Sequence, residues 1–286
     1  MTILYMKFYY NLSNKTKIKN HKSGEKIYLI YQYFLHKDPE RQKEIEFCLK
    51  KNSENKHIHK IYLLNERIYS KNELGNPNMD KIIQINHKTR LKYKDVFSFV
   101  ASQKLDGYIV FLNADIFLDD TIQNILKTDT NEKKTHCQLR FEYNASKNIN
   151  SCLVFNKNGK PRRDSQDTWI YHSKYNIKKQ KDLNLFDFYF GKPGCDNIFT
   201  YLMSSLGFKI YNDPYFIKTY HFHTTNIRDY TERSRLRLPY PYILIEPYIS
   251  MENIRKFKYN KDFNNTEGNN YLTSKKAKKP FFNMFN

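Results

Sequence analysis

The sequence is poor in residues that interrupt or cross-link a chain. Its 286 residues include only eight glycines, nine prolines and four cysteines. So few glycines and prolines exclude a collagen-like repeat and a glycine-serine linker. A chain of this length can bury enough apolar surface to fold without disulfides. Since no two cysteines have CxxC spacing, a zinc ribbon and a thioredoxin-like motif are also excluded, and we expect reduced thiols.

Long hydrophobic runs are also missing. The sequence has no stretch of about 18 apolar residues, so we expect no transmembrane helix. The first ten residues include Lys7 and lack a small-residue cleavage site, which makes a poor signal peptide. A cytoplasmic location is the expectation. The abundance of lysine, asparagine, isoleucine and tyrosine is typical of an AT-rich organism or a large virus.

Acidic residues are few relative to basic ones. The chain has 49 lysines and arginines against 29 aspartates and glutamates, a net charge of +20. We expect a basic extension at residues 1–25 and a basic, disordered tail at 255–286, on either side of a domain at 26–254. The charge leaves open a nucleic-acid-associated binding module. No RRM, KH, zinc-finger or helix-turn-helix signature supports it, so we expect no nucleic-acid partner.

Apolar runs alternate with helical spacing over residues 26–126. We expect helices at 38–52 and 94–104, and strands at 26–34, 58–64, 81–86 and 107–112. Asp38 is a good N-cap for the first helix, and Pro39 suits its first turn. Strands that alternate with helices indicate βαβ units and a mostly parallel sheet. Residues 26–126 are therefore predicted to form a Rossmann-like, nucleotide-binding half.

Residues 127–254 are less regular, and we predict that they form the acceptor half of the same domain. A helix is expected over 195–206, ended by Gly207. Strand-like segments occur at 137–143, 152–156, 168–172, 185–190, 209–211 and 216–220. The predicted fold class is α/β, with a Rossmann-like mixed sheet flanked by helices in a single domain.

Two candidate ligand sites follow strands of the first half. The strand at 107–112 runs directly into Asn113 and Asp115. Ligands of open α/β sheets bind at the carboxyl ends of strands, and a carboxylate there can hold Mg²⁺ or Mn²⁺. Arg90 follows the strand at 81–86, at the same edge, where it could contact a diphosphate. The alternative makes Asn113 and Asp115 turn residues and Arg90 a solvated side chain.

The second half holds three further candidates, each with a structural alternative. Asp196 lies at a predicted helix start, as a general base or as a simple helix cap. His221 and His223 alternate on a strand-like segment, so both imidazoles could face one metal, or both could be buried and bonded to backbone. Gln166 and Trp169 combine polar and aromatic groups that suit a sugar, although a core tryptophan beside a charged loop fits equally.

The order of these motifs resembles that of glycosyltransferases of the GT-A fold. A βαβ half ends in FLNADI, a mixed half contains GKPGCDN at a helix start, and HFH follows, all within about residues 26–230. The resemblance implies a nucleotide-sugar donor and a divalent metal, Mn²⁺ or Mg²⁺, bound by Asp115. It further implies that His221 or His223 is a metal ligand, and that Asp196 is the base.

The resemblance also implies which residues contact the donor. Asn113 replaces the first aspartate of the D-x-D motif, and its amide oxygen can still serve as a ligand. We expect Arg90, Asn113, Asp115, Gln166 and Trp169 to bind the nucleotide-sugar. The acceptor would be a hydroxyl of a glycan, a protein or a small molecule. The alternatives are a GT-A-like protein that binds sugar or nucleotide without turnover and a phosphohydrolase that uses Asp115 and the histidine pair.

Overall fold

The structure is a computed structural model that describes residues 9–10, 24–143, 153–154, 161–225, 227, 234–236, 238–241 and 243–249. In these residues the α-helices are α1 (Pro39–Glu54), α2 (Tyr93–Ser102), α3 (Gln180–Leu183) and α4 (Cys195–Ser205). The strands are β1 (Tyr9–Tyr10), β2 (Ile27–Tyr31), β3 (Lys60–Asn65), β4 (Ile82–Asn86), β5 (Tyr108–Leu112), β6 (Ile116–Leu118), β7 (Lys134–Leu139), β8 (Phe141–Glu142), β9 (Gln166–His172), β10 (Lys209–Tyr211), β11 (Thr219–His221) and β12 (Leu244–Ile245).

The central sheet has seven strands in the order β10-β7-β9-β5-β2-β3-β4. All neighbouring strands are parallel except β9, which runs antiparallel to both β5 and β7. Strands β2 and β5 lie in the middle, and every one of their residues is buried, as expected for parallel strands covered on both faces. The predicted α/β fold, a mixed sheet flanked by helices, is confirmed.

Two hydrophobic layers cover the faces of this sheet. On one face α2 and α4 pack against an aromatic layer that includes Phe111 and Trp169. On the other face α1 contributes Ile45 and Leu49, which pack beneath Leu29 and its neighbours. Each fully buried side chain of this size stabilises the fold by about 1.5–3 kcal/mol before the loss of conformational entropy. Packing of the helices on both faces thus holds the strands of the central sheet in place.

A second, three-stranded sheet lies beside the first, in the order β6-β11-β8. Strand β11 is antiparallel to β6 and parallel to β8. The buried Asn52 of α1 joins this sheet to the helix, because its side chain donates to the carbonyl of Ile116 at 2.9 Å and accepts from the amide of Leu118 at 3.0 Å. The small sheet brings three distant chain segments together at one end of the central sheet.

Several predicted elements are found where the sequence placed them. Helix α1 begins after Asp38, whose side chain accepts from the Arg41 amide at 3.0 Å. Helix α4 begins at Cys195 after Gly194, whose φ of +85° lies in the left-handed region that favours glycine. The described cysteines Cys48, Cys137 and Cys195 are free thiols.

Other expected strands differ from the structure. Segment 185–190 forms no strand, although buried and exposed residues alternate along it. Phe186 ends a 3-10 turn, and Tyr189 makes only an isolated β-bridge to Lys92, so no continuous backbone pairing develops. The segment 137–143 divides into the end of β7 and β8. The strand expected at 216–220 begins instead at Thr219, because the amides of Phe216 and Ile217 bond to the carbonyl of Asp213.

The terminal extensions are only partly described. Tyr9–Tyr10 pair in parallel with Leu244–Ile245, so part of the expected extension at residues 1–25 forms a strand. The expected tail at 255–286 lies outside the described residues, as does most of the strand expected at 152–156, of which Leu153 bridges Phe141.

Candidate active site

Asp115 lies at the carboxyl edge of the central sheet, on the bend between two strands. Strand β5 ends at Leu112, and the amide of Ile116 then bonds to the carbonyl of Asn113 at 3.1 Å, which closes a tight turn before β6. The Asp115 side chain is only 13% exposed. The edge is the one at which ligands of open α/β sheets bind.

The histidine pair reaches Asp115 through the small sheet. Strand pairing places His221 opposite Ile116, and the amide of Phe222 donates to the Asp115 carbonyl at 3.0 Å. Because alternate residues of an extended segment face the same side, His221 and His223 both turn towards the Asp115 carboxylate. Nε2 of His221 lies 3.1 Å from Oδ2 of Asp115, and Nδ1 of His223 lies 3.9 Å from the same oxygen.

The charges of this cluster are mutually stabilised. Burial alone would raise the pKa of Asp115, but His221, His223 and Arg41 hold that pKa well below its usual range. For His221, burial and the charge of Arg140 lower the pKa, but the carboxylates of Asp115 and Glu142 outweigh them and raise it to about 9. In this arrangement Asp115 is a carboxylate, and His221 carries protons on both ring nitrogens at neutral pH.

The donor set fits a divalent transition-metal ion. One ligand atom from each of Asp115, His221 and His223 lies within 4.8 Å of the others, and within the described ranges no other group of three or more such side chains does so. The buried Nε2 of His223 has no hydrogen-bond partner among the described residues, although buried ring nitrogens are normally satisfied. Two imidazoles and one carboxylate suit Mn²⁺ or a neighbouring first-row ion better than Ca²⁺.

Two residues of α1 that the sequence reasoning missed support the cluster. The guanidinium of Arg41 donates to Asp115 Oδ2 at 2.5 Å and to Glu44 Oε2 at 2.6 Å. Glu44 is buried, and its carboxylate accepts from the amides and hydroxyls of Thr224 and Thr225, just beyond the histidine pair. Helix α1 thereby contacts the Asp115 side chain and anchors the segment that follows His223.

A chain of polar contacts continues along the same sheet edge. The side chain of Asn113 donates to Asp167 Oδ1 at 2.6 Å, and Asp167 also accepts from Arg140. Arg140 then donates to Glu142 Oε1 at 3.0 Å, and Glu142 Oε2 lies 2.7 Å from Nδ1 of His221. Asp167 and Glu142 were also missed, although Asp167 directly follows the expected site residue Gln166 in the sequence.

Asp196 lies in the first turn of α4, close to this chain of contacts. Burial first, and then the charge of Asp167, raise the pKa of Asp196 to about 7, although the backbone amides of Asn197 and Gln166 act in the opposite direction. The neighbouring Cys195 is inert by comparison, because burial raises the pKa of its thiol to about 12 and its sulfur lies 3.4 Å from the hydroxyl of Tyr93.

The remaining expected site residues are not gathered around Asp115. Arg90 is exposed and donates to the carbonyl of Phe190 at 2.8 Å, which places it against the turn before α4. Gln166 is buried and donates to the carbonyl of Arg163 at 3.1 Å. Trp169 has no exposed surface. The structure places this residue in the aromatic core rather than at a ligand surface.

Among known proteins, the chain is similar to solved structures only in its fold. No protein-family model and no curated protein matches the sequence. The chain is similar to the mannosyltransferase PcManGT from Pyrobaculum calidifontis in complex with GDP-Man and Mn²⁺, with a TM-score of 0.46, 9% identity, and coverage of 77% of this chain and 63% of that chain. It is similar to TarS of S. aureus in complex with UDP-GlcNAc, with a TM-score of 0.44, 11% identity, and coverage of 82% and 64%.

A third similar structure is of another class. It is 4-diphosphocytidyl-2C-methyl-D-erythritolsynthase from Anaerococcus prevotii, with a TM-score of 0.38, 15% identity, and coverage of 73% of this chain and 92% of that chain. The chain spans less than two thirds of the first two structures. Among the described residues no helix is both long enough and apolar enough to cross a membrane.

Proposed function

We propose that this chain is a metal-dependent glycosyltransferase that moves a sugar from a nucleotide-sugar to an acceptor hydroxyl. The observation that carries the proposal is the convergence of Asp115, His221 and His223 at the carboxyl edge of an open α/β sheet. A divalent ion bound there would supply charge stabilisation for a leaving diphosphate. Mn²⁺ is the first candidate and Mg²⁺ the second, since two of the three ligands are imidazoles.

The residues around that centre would bind the metal and the nucleotide-sugar donor. Asp115 and the two histidines hold the metal, and Arg41 neutralises the remaining carboxylate charge. Asn113 faces the same edge and offers its amide oxygen, because its amide nitrogen is already bonded to Asp167. Gln166 and Arg90 border this edge, and we assign them to the sugar and the nucleotide respectively. Trp169 supports the site from the core.

Asp196 is the proposed base. A carboxyl group with a pKa of about 7 is half ionised near neutral pH, where it can accept a proton from an acceptor hydroxyl most effectively. Asp196 lies in the first turn of α4 and is only 9% exposed. The acceptor would therefore approach between Asp196 and the donor sugar.

A thermal-shift panel tests this proposal. The wild-type chain is melted with UDP-, GDP-, ADP- and CMP-sugars, each with Mn²⁺, Mg²⁺ or EDTA. A ligand that binds only the folded state raises the melting temperature by mass action. At a ligand concentration of a hundred times Kd, the free energy of unfolding increases by about 2.7 kcal/mol. We expect a rise with one nucleobase series and only with metal. Absence of any metal-dependent rise would contradict the donor assignment.

A binding protein without turnover is the second candidate. This candidate is favoured by Asn113, which stands where the motif has a carboxylate and whose amide nitrogen donates a hydrogen bond to Asp167. The metal-dependent donor from the first panel is then incubated with an acceptor screen, and free nucleoside diphosphate is measured. Acceptor-dependent release supports the transferase, binding without release supports the second candidate, and phosphate release from simple esters supports a phosphohydrolase.

A further inference from the structure

The candidate metal cluster has a carboxylate behind it that the proposed reaction does not use. We propose that Glu142 is a positioning residue that accepts a hydrogen bond from Nδ1 of His221 and thereby directs Nε2 of this ring towards the metal. The inference rests on the metal centre of the proposed function. It assigns a role to a side chain that would touch neither the metal nor the substrate.

The geometry places Glu142 on the far side of the His221 ring. Oε2 of Glu142 lies 2.7 Å from Nδ1, and Oδ2 of Asp115 lies 3.1 Å from Nε2. The ring is therefore held at both nitrogens, by one carboxylate on each side. Because Asp115 is the candidate metal ligand, only the Nε2 edge faces the cluster.

The small sheet fixes this arrangement through the backbone. Strand pairing places Glu142 of β8 directly beside His221 of β11, and the amide of Tyr143 bonds to the His221 carbonyl at 2.8 Å. The Glu142 carboxylate is held in turn by Arg140, whose Nε donates to Oε1 at 3.0 Å. Both oxygens are thus assigned to separate donors, and Arg140 continues to Asp167.

The chemistry of a metal-bound histidine explains why the contact matters. An imidazole that binds a metal through Nε2 must keep its proton on Nδ1, so an acceptor at Nδ1 selects the binding tautomer and fixes the plane of the ring. Loss of such an acceptor typically weakens metal affinity about 10–100-fold.

Mn²⁺ affinity, measured by titration calorimetry without any donor, tests the inference. The chains compared are wild type, Glu142→Ala, Glu142→Gln, Glu132→Ala and Glu132→Gln. Glu132 is the matched control because it also accepts two hydrogen bonds, from Lys209 at 2.8 Å and Tyr211 at 3.0 Å, and it lies at the opposite edge of the sheet. We expect Glu142→Ala to bind about 10–100-fold more weakly. Glu142→Gln should lose clearly less affinity than Glu142→Ala, because its amide oxygen can still accept from Nδ1 even though its NH2 group then faces Nε of Arg140.

The outcomes separate this inference from the proposed function. Wild-type affinity in Glu142→Ala, or an equal loss in both Glu142 variants, overturns the positioning role alone. Absence of Mn²⁺ binding by the wild-type chain overturns the metal centre and this inference with it. If Glu142→Ala fails to fold, nitrogen-15 NMR of the wild-type chain loaded with Zn²⁺ reports the His221 tautomer directly. A proton on Nδ1 supports the inference, and a proton on Nε2 overturns it.

Discussion

The two edges of the central sheet each bury a histidine beside a carboxylate, and they use it differently. At the amino edge, Nε2 of His172 lies 3.1 Å from Glu25, and its Nδ1 accepts from the amide of Lys174 at 3.2 Å. At the carboxyl edge, His221 lies between Glu142 and Asp115. Both imidazoles are more than nine-tenths buried, so burial does not distinguish them.

The distinguishing feature is whether ligand atoms converge. The second nitrogen of His172 caps the 3-10 turn at Ser173–Tyr175, so that ring serves local structure. The second nitrogen of His221 faces Asp115. The imidazole of His223, two residues further along the same extended segment, lies beside the same carboxylate. A buried histidine with one carboxylate is a structural pair, whereas two histidines that share one carboxylate form a candidate site.

The largest effect should come from removing the shared carboxylate. We expect Asp115→Ala to abolish metal-dependent donor binding. The substitution removes the anionic ligand of the cluster and leaves two imidazoles, which carry no negative charge to balance a divalent ion. The matched variant, Glu25→Ala at the amino edge, should bind metal and donor as wild type does. The measurement is the Mn²⁺-dependent thermal shift with the donor found for wild type. Equal loss in both variants would show that the two edges do not differ as we infer.

The next largest effect concerns Asp196. We expect Asp196→Asn to lower the transfer rate about 10²–10⁴-fold, the usual contribution of a general base, while donor affinity stays within about twofold. Asp120→Asn is the control, since that side chain is 66% exposed and pairs with Lys56 and His57 rather than with a residue of the site. An Asp196→Asn variant that transfers sugar at the normal rate would exclude Asp196 as the base.

The same substitution has a stability signature with a defined sign. The folded-state pKa of Asp196, about 7, lies above its ordinary value of 3.8, so the folded chain binds the extra proton. Stability therefore falls as pH rises through that interval. Asp196→Asn should melt at a higher temperature than wild type at pH 8 and at the same temperature at pH 4. A gain that does not depend on pH would contradict the raised pKa.

A smaller, graded effect is expected from pH on metal binding. His221 has a pKa of about 9 in the metal-free chain, so Mn²⁺ must displace the Nε2 proton. Affinity should rise about tenfold for each pH unit between 6 and 8, with release of about one proton for each ion bound. Calorimetry in two buffers of different ionisation enthalpy counts the proton. Affinity that does not change with pH would exclude His221 as the titrating ligand.

The sequence predicts the parts of the site that depend on local pattern. The apolar run of β5 locates Asp115 at a strand end, the alternation of His221 and His223 predicts a shared face, and the glycine-rich turn places Asp196 at a helix start. Each of these predictions needs only neighbouring residues and the period of one element.

The rest depends on register between distant segments. Arg41 contacts Asp115 across 74 residues, Asn113 contacts Asp167 across 54, and Glu142 contacts His221 across 79. The strands that create the last contact have only two and three residues. Such short strands carry no hydrophobic pattern that would fix their pairing, so the supporting residues are visible only in the fold.

The smallest effect on binding should come from Trp169, which the sequence assigns equally well to a sugar pocket or to the core. Its indole stacks on Phe111 at 5.5 Å and has no exposed surface. The indole nitrogen is buried without a partner among the described residues, so Trp169→Phe removes an unsatisfied donor as well as packing volume. The two changes partly offset each other, and we expect a loss of about 1–2 kcal/mol of stability, less than the 3–5 kcal/mol typical of truncation to alanine. Donor affinity should stay unchanged, and a fall of tenfold or more with intact metal binding would return Trp169 to the donor site.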